Sequence, residues 1–203
     1  MTDDELYALK NKSVLLRRQE MLDEPHVKPL ADFVKKVRLE RGEEYNIPDF
    51  DPLDGGIEAK VLFLFESPGG GVAVSEFVSR ENPDRVARMF RSLCDEAGIA
   101  RKDTILWNSV PWWVESGVRS DDVAVALPYL RRLMSLLPNL EAIVLMGTTA
   151  ASLQQLLRQE TNTRVFATWM PSPRVFNRWK GKRREVEETF QEVARLLNQY
   201  LSN

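Results

Sequence analysis

Four short apolar runs are the feature of this sequence that most constrains its fold. They lie at residues 60–65 (KVLFLF), 104–107 (TILW), 142–146 (AIVLM) and 164–168 (RVFAT). Continuous apolar runs of this length are typical of parallel strands that are buried on both faces. Because stretches with helical spacing separate the runs, the sequence predicts an α/β fold: a three-layer α/β/α sandwich with a four-stranded parallel sheet.

The remaining elements are predicted from apolar residues that recur every three or four positions. The predicted helices are 5–22, 29–41, 83–97, 121–137, 148–159 and 184–200. Residues 45–56 (YNIPDFDPLDGG) are rich in Pro, Asp and Gly and predict a covering loop. A chain of 203 residues has the size of one domain. We therefore interpret residues 1–203 as a single domain whose first 57 residues form a helical cap.

Composition excludes several classes of protein. With 43% apolar and 29% charged residues, the chain has the balance of a globular protein. It contains no apolar run near the ~20 residues that span a bilayer and no apparent signal peptide, so we expect a cytoplasmic monomer with no membrane contact. Cys94 is the sole cysteine and His26 the sole histidine, which rules out an intrachain disulfide and an all-cysteine metal site.

The distribution of charge is more informative than its sum. The net charge of −2 argues weakly against a nucleic-acid partner. Residues 164–184, however, contain seven Lys or Arg side chains and no acid, with Trp169, Phe176 and Trp179 among them. Basic residues interleaved with aromatic ones indicate a nucleic-acid surface. The alternative is an ordinary solvated helix face.

Polar residues follow the apolar runs, at the edge where open parallel sheets bind ligands. The four loops begin with ESPGGG (66–71), NSVPWW (108–113), GTT (147–149) and MPSPR (170–174). Proline and glycine fix the shape of three of them, as a pre-organised pocket requires. Each loop also has a plainer interpretation: a tight turn for the glycines, a cap for the Asn, and a stiff turn for the Pro-Ser-Pro segment.

Taken together and in order, these loops resemble the motifs of the uracil-DNA glycosylase superfamily. The resemblance covers roughly residues 48–200. It implies a DNA glycosylase that flips uracil, or a related deaminated or modified base, out of single- or double-stranded DNA and hydrolyses its N-glycosidic bond. It implies no cofactor and no metal, and the cluster-binding cysteines of the iron–sulfur branch are absent from this sequence.

The resemblance also implies roles for individual residues. Glu66 matches the catalytic Glu of the iron–sulfur branch, where a carboxylate orients water and offsets positive charge on the sugar. Ser67 falls where another branch has its water-activating Asp. Gly69 falls where strict uracil enzymes have a Tyr that blocks the thymine methyl, so bases substituted at C5 are expected to enter. Phe77 matches the aromatic residue that stacks on the base, unless it is a core residue, and Asn108 matches the residue that reads the base edge.

The fourth motif departs from the family at two positions. Met170 replaces the usual His that stabilises the departing base, and loss of such a donor typically costs ~10²–10³ in rate. Arg174 replaces the usual wedge Leu, so Val175 or Phe176 is an alternative wedge. Ser172 matches a phosphate contact. The expected DNA-binding residues are Ser172, Arg174, Arg178, Lys180 and Lys182.

Three hypotheses follow from this pattern. The first is a glycosylase whose catalysis depends on Glu66 and Asn108, slowed by Met170. The second is a catalytically weak or inactive protein of the same fold that binds modified bases in DNA. The third is a protein that uses its glycine loop to bind a nucleotide or another phosphate, although the loop lacks the Lys-Ser/Thr ending of the nucleotide-triphosphatase signature.

Overall fold

The computed structural model describes residues 7–42 and 44–199, apart from the side chain of Ala73. The strands are β1 (Asp49–Phe50), β2 (Val61–Phe65), β3 (Phe77–Val78), β4 (Thr104–Asn108), β5 (Ala142–Met146) and β6 (Arg164–Thr168). The helices are α1 (Lys12–Glu20), α2 (Lys28–Arg41), α3 (Val72–Ser75), α4 (Arg85–Ala97), α5 (Ser120–Ser135), α6 (Thr148–Ala151), α7 (Gln154–Glu160), α8 (Pro173–Arg178) and α9 (Lys182–Gln199).

The four predicted strands form one parallel sheet in the order β4-β2-β5-β6, which confirms the predicted fold class. Their bounds differ from the prediction by one residue at two ends, since β2 begins at Val61 and β4 extends to Asn108. The chain leaves β2 for β4 on one side and then crosses to β5 on the other. The sheet therefore has a topological switch point beside β2, where α/β sheets bind ligands.

Helices cover both faces of the sheet. Phe63 of β2 packs against Phe90 of α4 and Phe190 of α9, with ring centroids 4.8 and 5.3 Å apart. Trp107 of β4 packs on the other face against Phe33 of α2, at 6.2 Å. Trp107 is paired in register with Leu64, the residue after Phe63, so the two aromatic clusters lie on opposite sides of the sheet.

The N-terminal segment packs onto the same core as the sheet. Helix α2 starts one residue before the predicted position and contributes Leu30, Phe33, Val34 and Val37 to that core. Helix α1 is shorter than predicted, since single 3₁₀ turns replace its ends, and residues 5 and 6 lie outside the described residues. The predicted covering loop at 45–56 contains β1, which pairs in parallel with β3.

Further differences concern the continuity, length or bounds of helices. The predicted helix at 148–159 is two helices, α6 and α7, and Ser152 Oγ donates to the Thr149 carbonyl at the break. Helices α3 and α8 span four and six residues, too few for a periodic pattern to reveal. Helix α9 begins at Lys182, and Tyr200 lies outside the described residues.

No helix in the described part of the chain is long and apolar enough to cross a membrane.

Candidate functional site

A cavity of about 340 Å³ lies at the carboxyl edge of the sheet, on the face that α4 covers. Its walls are the ends of β2 and β4, the glycine loop, the segment from Val78 to Phe90, and Met170. The lining residues are Phe65, Ser67, Gly69, Gly70, Val72, Val78, Ser79, Asn82, Asp84, Arg85, Val86, Ala87, Phe90, Leu106, Asn108 and Met170. The volume lies at the lower end of the ~300–1,000 Å³ range of small-molecule sites.

Asn108 is the polar residue of the cavity that most clearly lacks a partner. Its side chain is buried, with the residue 3% exposed, and Nδ2 has no hydrogen-bond partner. A buried donor without an acceptor costs about 1–3 kcal/mol. In native proteins a buried donor of this kind is usually matched by a protein acceptor, an ordered water or a ligand. The amide of Asn108 is therefore positioned to receive an acceptor from a ligand.

Phe65 is the register partner of Asn108 on the neighbouring strand. Paired residues of parallel strands direct their side chains to the same face, so the phenyl ring and the amide enter the cavity side by side. Phe65 is half-buried and lies edge-on to Phe90, with ring centroids 5.4 Å apart. The cavity thus combines an aromatic face with a buried hydrogen-bond donor.

Hydrogen bonds beyond the β2–β4 ladder hold the ends of these two strands together. The Phe65 carbonyl accepts hydrogen bonds from both the backbone N and the Oγ of Ser109, at 2.7 and 2.8 Å. The Glu66 carbonyl accepts from the Val110 backbone N at 3.0 Å. These bonds fix the position of Asn108 relative to the Glu66 loop.

Glu66 lies beside the cavity but does not line it, whereas its neighbours Phe65 and Ser67 do. The half-buried side chain accepts a hydrogen bond of 2.8 Å from Thr149 Oγ1, at the first turn of α6. Its carboxylate is therefore held at the switch point, on the β5 side of the loop. Sequence reasoning selected Glu66 but not Thr149, although both lie in loops that follow predicted strands.

The glycine loop (residues 66–71) has open space beside two of its glycines and a close side-chain contact beside the third. A Cβ atom at Gly69 or Gly70 would meet no atom within 4 Å, so the cavity is open there. A Cβ atom at Gly71 would lie 2.3 Å from Asp84 Oδ2, so a side chain at that position would have to displace the Asp84 carboxylate. Asp84 also caps α4 by accepting from the Ala87 backbone N at 2.8 Å. A carboxylate against the loop opposes the binding of a phosphate by its backbone.

Met170 lines the cavity at the position expected for it, and its side chain packs beside Gly147. A Cβ atom at Gly147, where φ is +90°, would lie 3.5 Å from Met170 Cε. Ser172 donates its backbone N–H to the Met170 carbonyl at 2.8 Å. Its Oγ accepts from the Val175 backbone N at 3.3 Å and so caps α8. Ser172 therefore has a structural role at the site where a phosphate contact was predicted.

The expected stacking role of Phe77 needs correction. Phe77 belongs to β3 and is 1% exposed, and it is not among the residues that line the cavity. Pairing of β3 with β1 fixes it in the buried layer, together with two hydrogen bonds: the Phe77 backbone N–H donates to Ser75 Oγ, and Asn82 Nδ2 donates to the Phe77 carbonyl. The ring that borders Asn108 is that of Phe65. The sequence prediction missed Phe65 because it did not consider that the last residues of β2 and β4, Phe65 and Asn108, are paired in register.

The basic residues of segment 164–184 differ from one another in exposure and in ion pairing. Arg164 begins β6 and so lies at the opposite edge of the sheet. Three other basic residues form ion pairs on α9: Lys182 with Glu185, Arg183 with Glu187 and Arg184 with Glu188. Three are exposed and form no ion pair within the described residues: Arg174, Arg178 and Lys180. Lys182 is half-buried, so it is less accessible than predicted.

A buried network of charges, which sequence reasoning missed, supports the far wall of the cavity. Asp51 accepts from Ser79, a lining residue, and pairs with Arg18 and with Arg101, the latter at 2.6 Å. Burial alone would raise the pKa of Asp51. The guanidinium groups of Arg101 and Arg18 outweigh that effect and hold its pKa below the usual value.

Asp54 of the same network has a raised pKa, in contrast to Asp51. It pairs with Arg101 at 2.8 Å and with Arg80 at 3.8 Å. Burial raises its pKa from 3.8 to about 6, because desolvation outweighs the attraction of Arg101 and Arg80 and the nearby Asp51 adds repulsion. Arg101 also contacts Glu81 at 2.7 Å, so one guanidinium joins three carboxylates.

His26 lies outside the cavity. This residue precedes α2, and its Nε2 is 2.8 Å from the carbonyl of Pro52, which follows β1. Within residues 7–42 and 44–199, no group of three His, Cys, Asp or Glu side chains is arranged to hold a metal ion.

The fold and the cavity define a three-layer α/β protein with a ligand site at the switch point of its sheet. A family model described as the uracil DNA glycosylase superfamily matches residues 52–194, and the chain belongs to that superfamily. The matched region contains the whole four-stranded sheet and every residue of the cavity. Membership supports a glycosylase-type function and DNA as the substrate. No curated protein matches the sequence.

Proposed function

We propose that the protein is a DNA glycosylase that excises uracil or a related deaminated or modified base after base flipping. The observation that carries this proposal is the buried, unpartnered Nδ2 of Asn108 beside the Phe65 ring. An amide that donates through Nδ2 and accepts through Oδ1 is complementary to the adjacent carbonyl and N–H groups of uracil. Extrusion costs a few kcal/mol, least for a mispaired base.

The ring of Phe65 would stack on the extruded base, a contact worth ~1–3 kcal/mol. Open space at Gly69 and Gly70 would admit a substituent at C5 of a pyrimidine. The substrate class is therefore wider than unsubstituted uracil and includes 5-hydroxymethyluracil.

Glu66 is the proposed catalytic carboxylate. Held by Thr149, it would orient a water molecule towards C1′ and offset the positive charge that develops on the sugar. The water oxygen bonds to C1′ and gives up a proton to Glu66, which later releases it to solvent, as the bond from C1′ to the base nitrogen breaks. The base leaves with that electron pair and takes a proton from solvent.

Met170 favours a second candidate function. Its thioether lies in the cavity, where the family usually has a His, and it offers no donor to the departing base. Without that donor the chemical step is slower, and the cavity would instead retain a modified base in DNA. The protein would then be a modified-base binding protein of the same fold.

A panel of oligonucleotides tests both candidates. Single-stranded and duplex DNA containing uracil, 5-hydroxymethyluracil or hypoxanthine is incubated with excess protein, and released base is measured. We expect release from at least one substrate, with loss of release in Glu66→Ala and Asn108→Ala. Intact substrates throughout would reject the glycosylase proposal. Tight binding of those substrates that depends on Asn108 would then support the binding protein.

A further inference from the structure

Trp169 and Trp179 form a ring pair in the segment that follows β6. Trp169 directly precedes Met170, which lines the cavity, and Trp179 follows α8. The ring centroids of Trp169 and Trp179 are 6.2 Å apart, and the ring planes are inclined by 32°. The pair therefore includes the chain neighbour of a residue that lines the cavity.

Trp169 is the fixed member of the pair. Its Nε1 donates a hydrogen bond of 2.9 Å to Glu185 Oε2, and Lys182 Nζ lies 4.4 Å from its ring centroid. Lys182 also pairs with Glu185 at 2.8 Å, which closes a small network around the indole. These contacts hold Trp169 as a rigid support for its neighbour.

Trp179 is the accessible member, with 42% of its surface exposed. The Arg178 guanidinium lies 4.8 Å from its ring centroid. Arg174, Arg178 and Lys180 are exposed along the same segment and have no acidic partner within the described residues. An exposed indole among unpaired cations is complementary to a nucleobase and its phosphate, since the base stacks while the cations neutralise the backbone.

We propose that Trp179, supported by Trp169, is a stacking site for an unpaired base next to the extruded nucleotide. In a duplex the neighbouring base is stacked within its own strand and paired with the other. In single-stranded DNA it is available to the indole. The protein is therefore built to prefer single-stranded DNA. This inference deepens the proposed function and depends on its assignment of DNA as the substrate.

Binding of fluorescently labelled oligonucleotides tests the site, with anisotropy as the readout. One arm uses single-stranded DNA without uracil and another the same sequence as a duplex, so neither arm requires base excision. Loss of a stacked base predicts that Trp179→Leu raises the single-strand Kd by about 10-fold or more. The duplex Kd should change much less, and Trp179→Phe should bind single strands nearly as well as the wild type.

The salt dependence separates stacking from charge. Trp179→Leu should leave the slope of log affinity against log salt unchanged, whereas Lys180→Ala should reduce it by about one. Wild-type single-strand affinity in Trp179→Leu would overturn the inference, as would equal losses for both DNA forms. Because these arms contain no uracil, failure of the uracil panel would refute the proposed function without altering this result.

Discussion

Thr149 Oγ1 donates a hydrogen bond of 2.8 Å to Glu66 Oε2 and so ties the glycine loop to α6. The two residues follow adjacent strands, β2 and β5, at the point where the strand order reverses. One oxygen of the proposed catalytic carboxylate is thereby fixed in position. Thr149 acts through Glu66, so it is a positioning residue of the proposed reaction.

Replacement of Thr149 by Val should lower the single-turnover excision rate by about 10-fold, because a hydrogen bond to a charged group contributes about 1.5–3 kcal/mol. Affinity for uracil-containing DNA should remain unchanged. Thr149→Ser keeps the hydroxyl and should retain the rate, and Thr148→Val, at an exposed neighbour, is the matched control. A wild-type rate in Thr149→Val, with Glu66→Ala inactive, would contradict the positioning role.

Met170→His should raise the excision rate, by as much as ~10²–10³, because an imidazole can donate to the departing base whereas a thioether cannot. The side chain faces the cavity beside Gly147, where the missing Cβ leaves space. Met170→Leu, which changes shape but supplies no donor, should excise at the wild-type rate. Equal rates for the His and Leu variants would show that the donor is not what limits the reaction.

The sequence located much of the candidate site because the carboxyl ends of buried parallel strands meet at one edge of a sheet. That rule located the loops, the resemblance to the superfamily then selected Ser67, Gly69, Asn108 and Met170 within them, and all four line one cavity. The predicted stacking role of Phe77 failed for a different reason, since Phe77 is buried in β3 and does not line the cavity. Which side chains share a face depends on the register between strands that are distant in sequence, and the short pairing of β1 with β3 gave no periodic signal.

Phe65→Leu and Phe77→Leu separate the two aromatic positions. Phe65→Leu should weaken binding of uracil-containing DNA by ~1–3 kcal/mol through lost stacking, with a smaller change for DNA without uracil. Phe77→Leu should lower the free energy of unfolding by ~1 kcal/mol or more and leave binding nearly unchanged. Titrations with both DNAs and urea unfolding of both variants provide the measurements. The reverse assignment of effects would restore Phe77 as the stacking residue.

The charge network could not be predicted, because its pairs join segments far apart in the chain. Arg101 reaches carboxylates 47 and 50 positions away, at Asp54 and Asp51. No local pattern marks these residues as partners. Composition alone shows only nearly equal numbers of acids and bases, 30 and 28. Whether a carboxylate of this network has a raised or a lowered pKa depends on its burial and on the guanidinium groups near it. Only the folded structure defines both.

Asp54 gives this network a definite pH dependence. Its pKa of about 6 in the folded protein exceeds the unfolded value of 3.8, so between these pH values the folded state binds more protons. Ionisation of Asp54 therefore lowers the free energy of unfolding as pH rises from about 4 to 6, by at most about 3 kcal/mol. Asp54→Asn removes this contribution. The difference in unfolding free energy, variant minus wild type, should increase over that range in urea titrations, and a flat difference would refute the assignment.

Gly69 lines the cavity, so the proposed function predicts that a large side chain there narrows the range of bases that enter. A Cβ atom there meets nothing within 4 Å, so a larger side chain can extend into the open space without displacing protein atoms. Gly69→Tyr should retain activity on uracil. It should reduce activity on 5-hydroxymethyluracil about 10- to 200-fold, the discrimination that steric exclusion of a small group provides. Gly69→Ala should process both bases as the wild type does.

The ratio of kcat/KM for the two substrates is the decisive measurement, because a folding defect would lower both values together. An unchanged ratio in Gly69→Tyr would mean that the C5 substituent points away from the glycine loop.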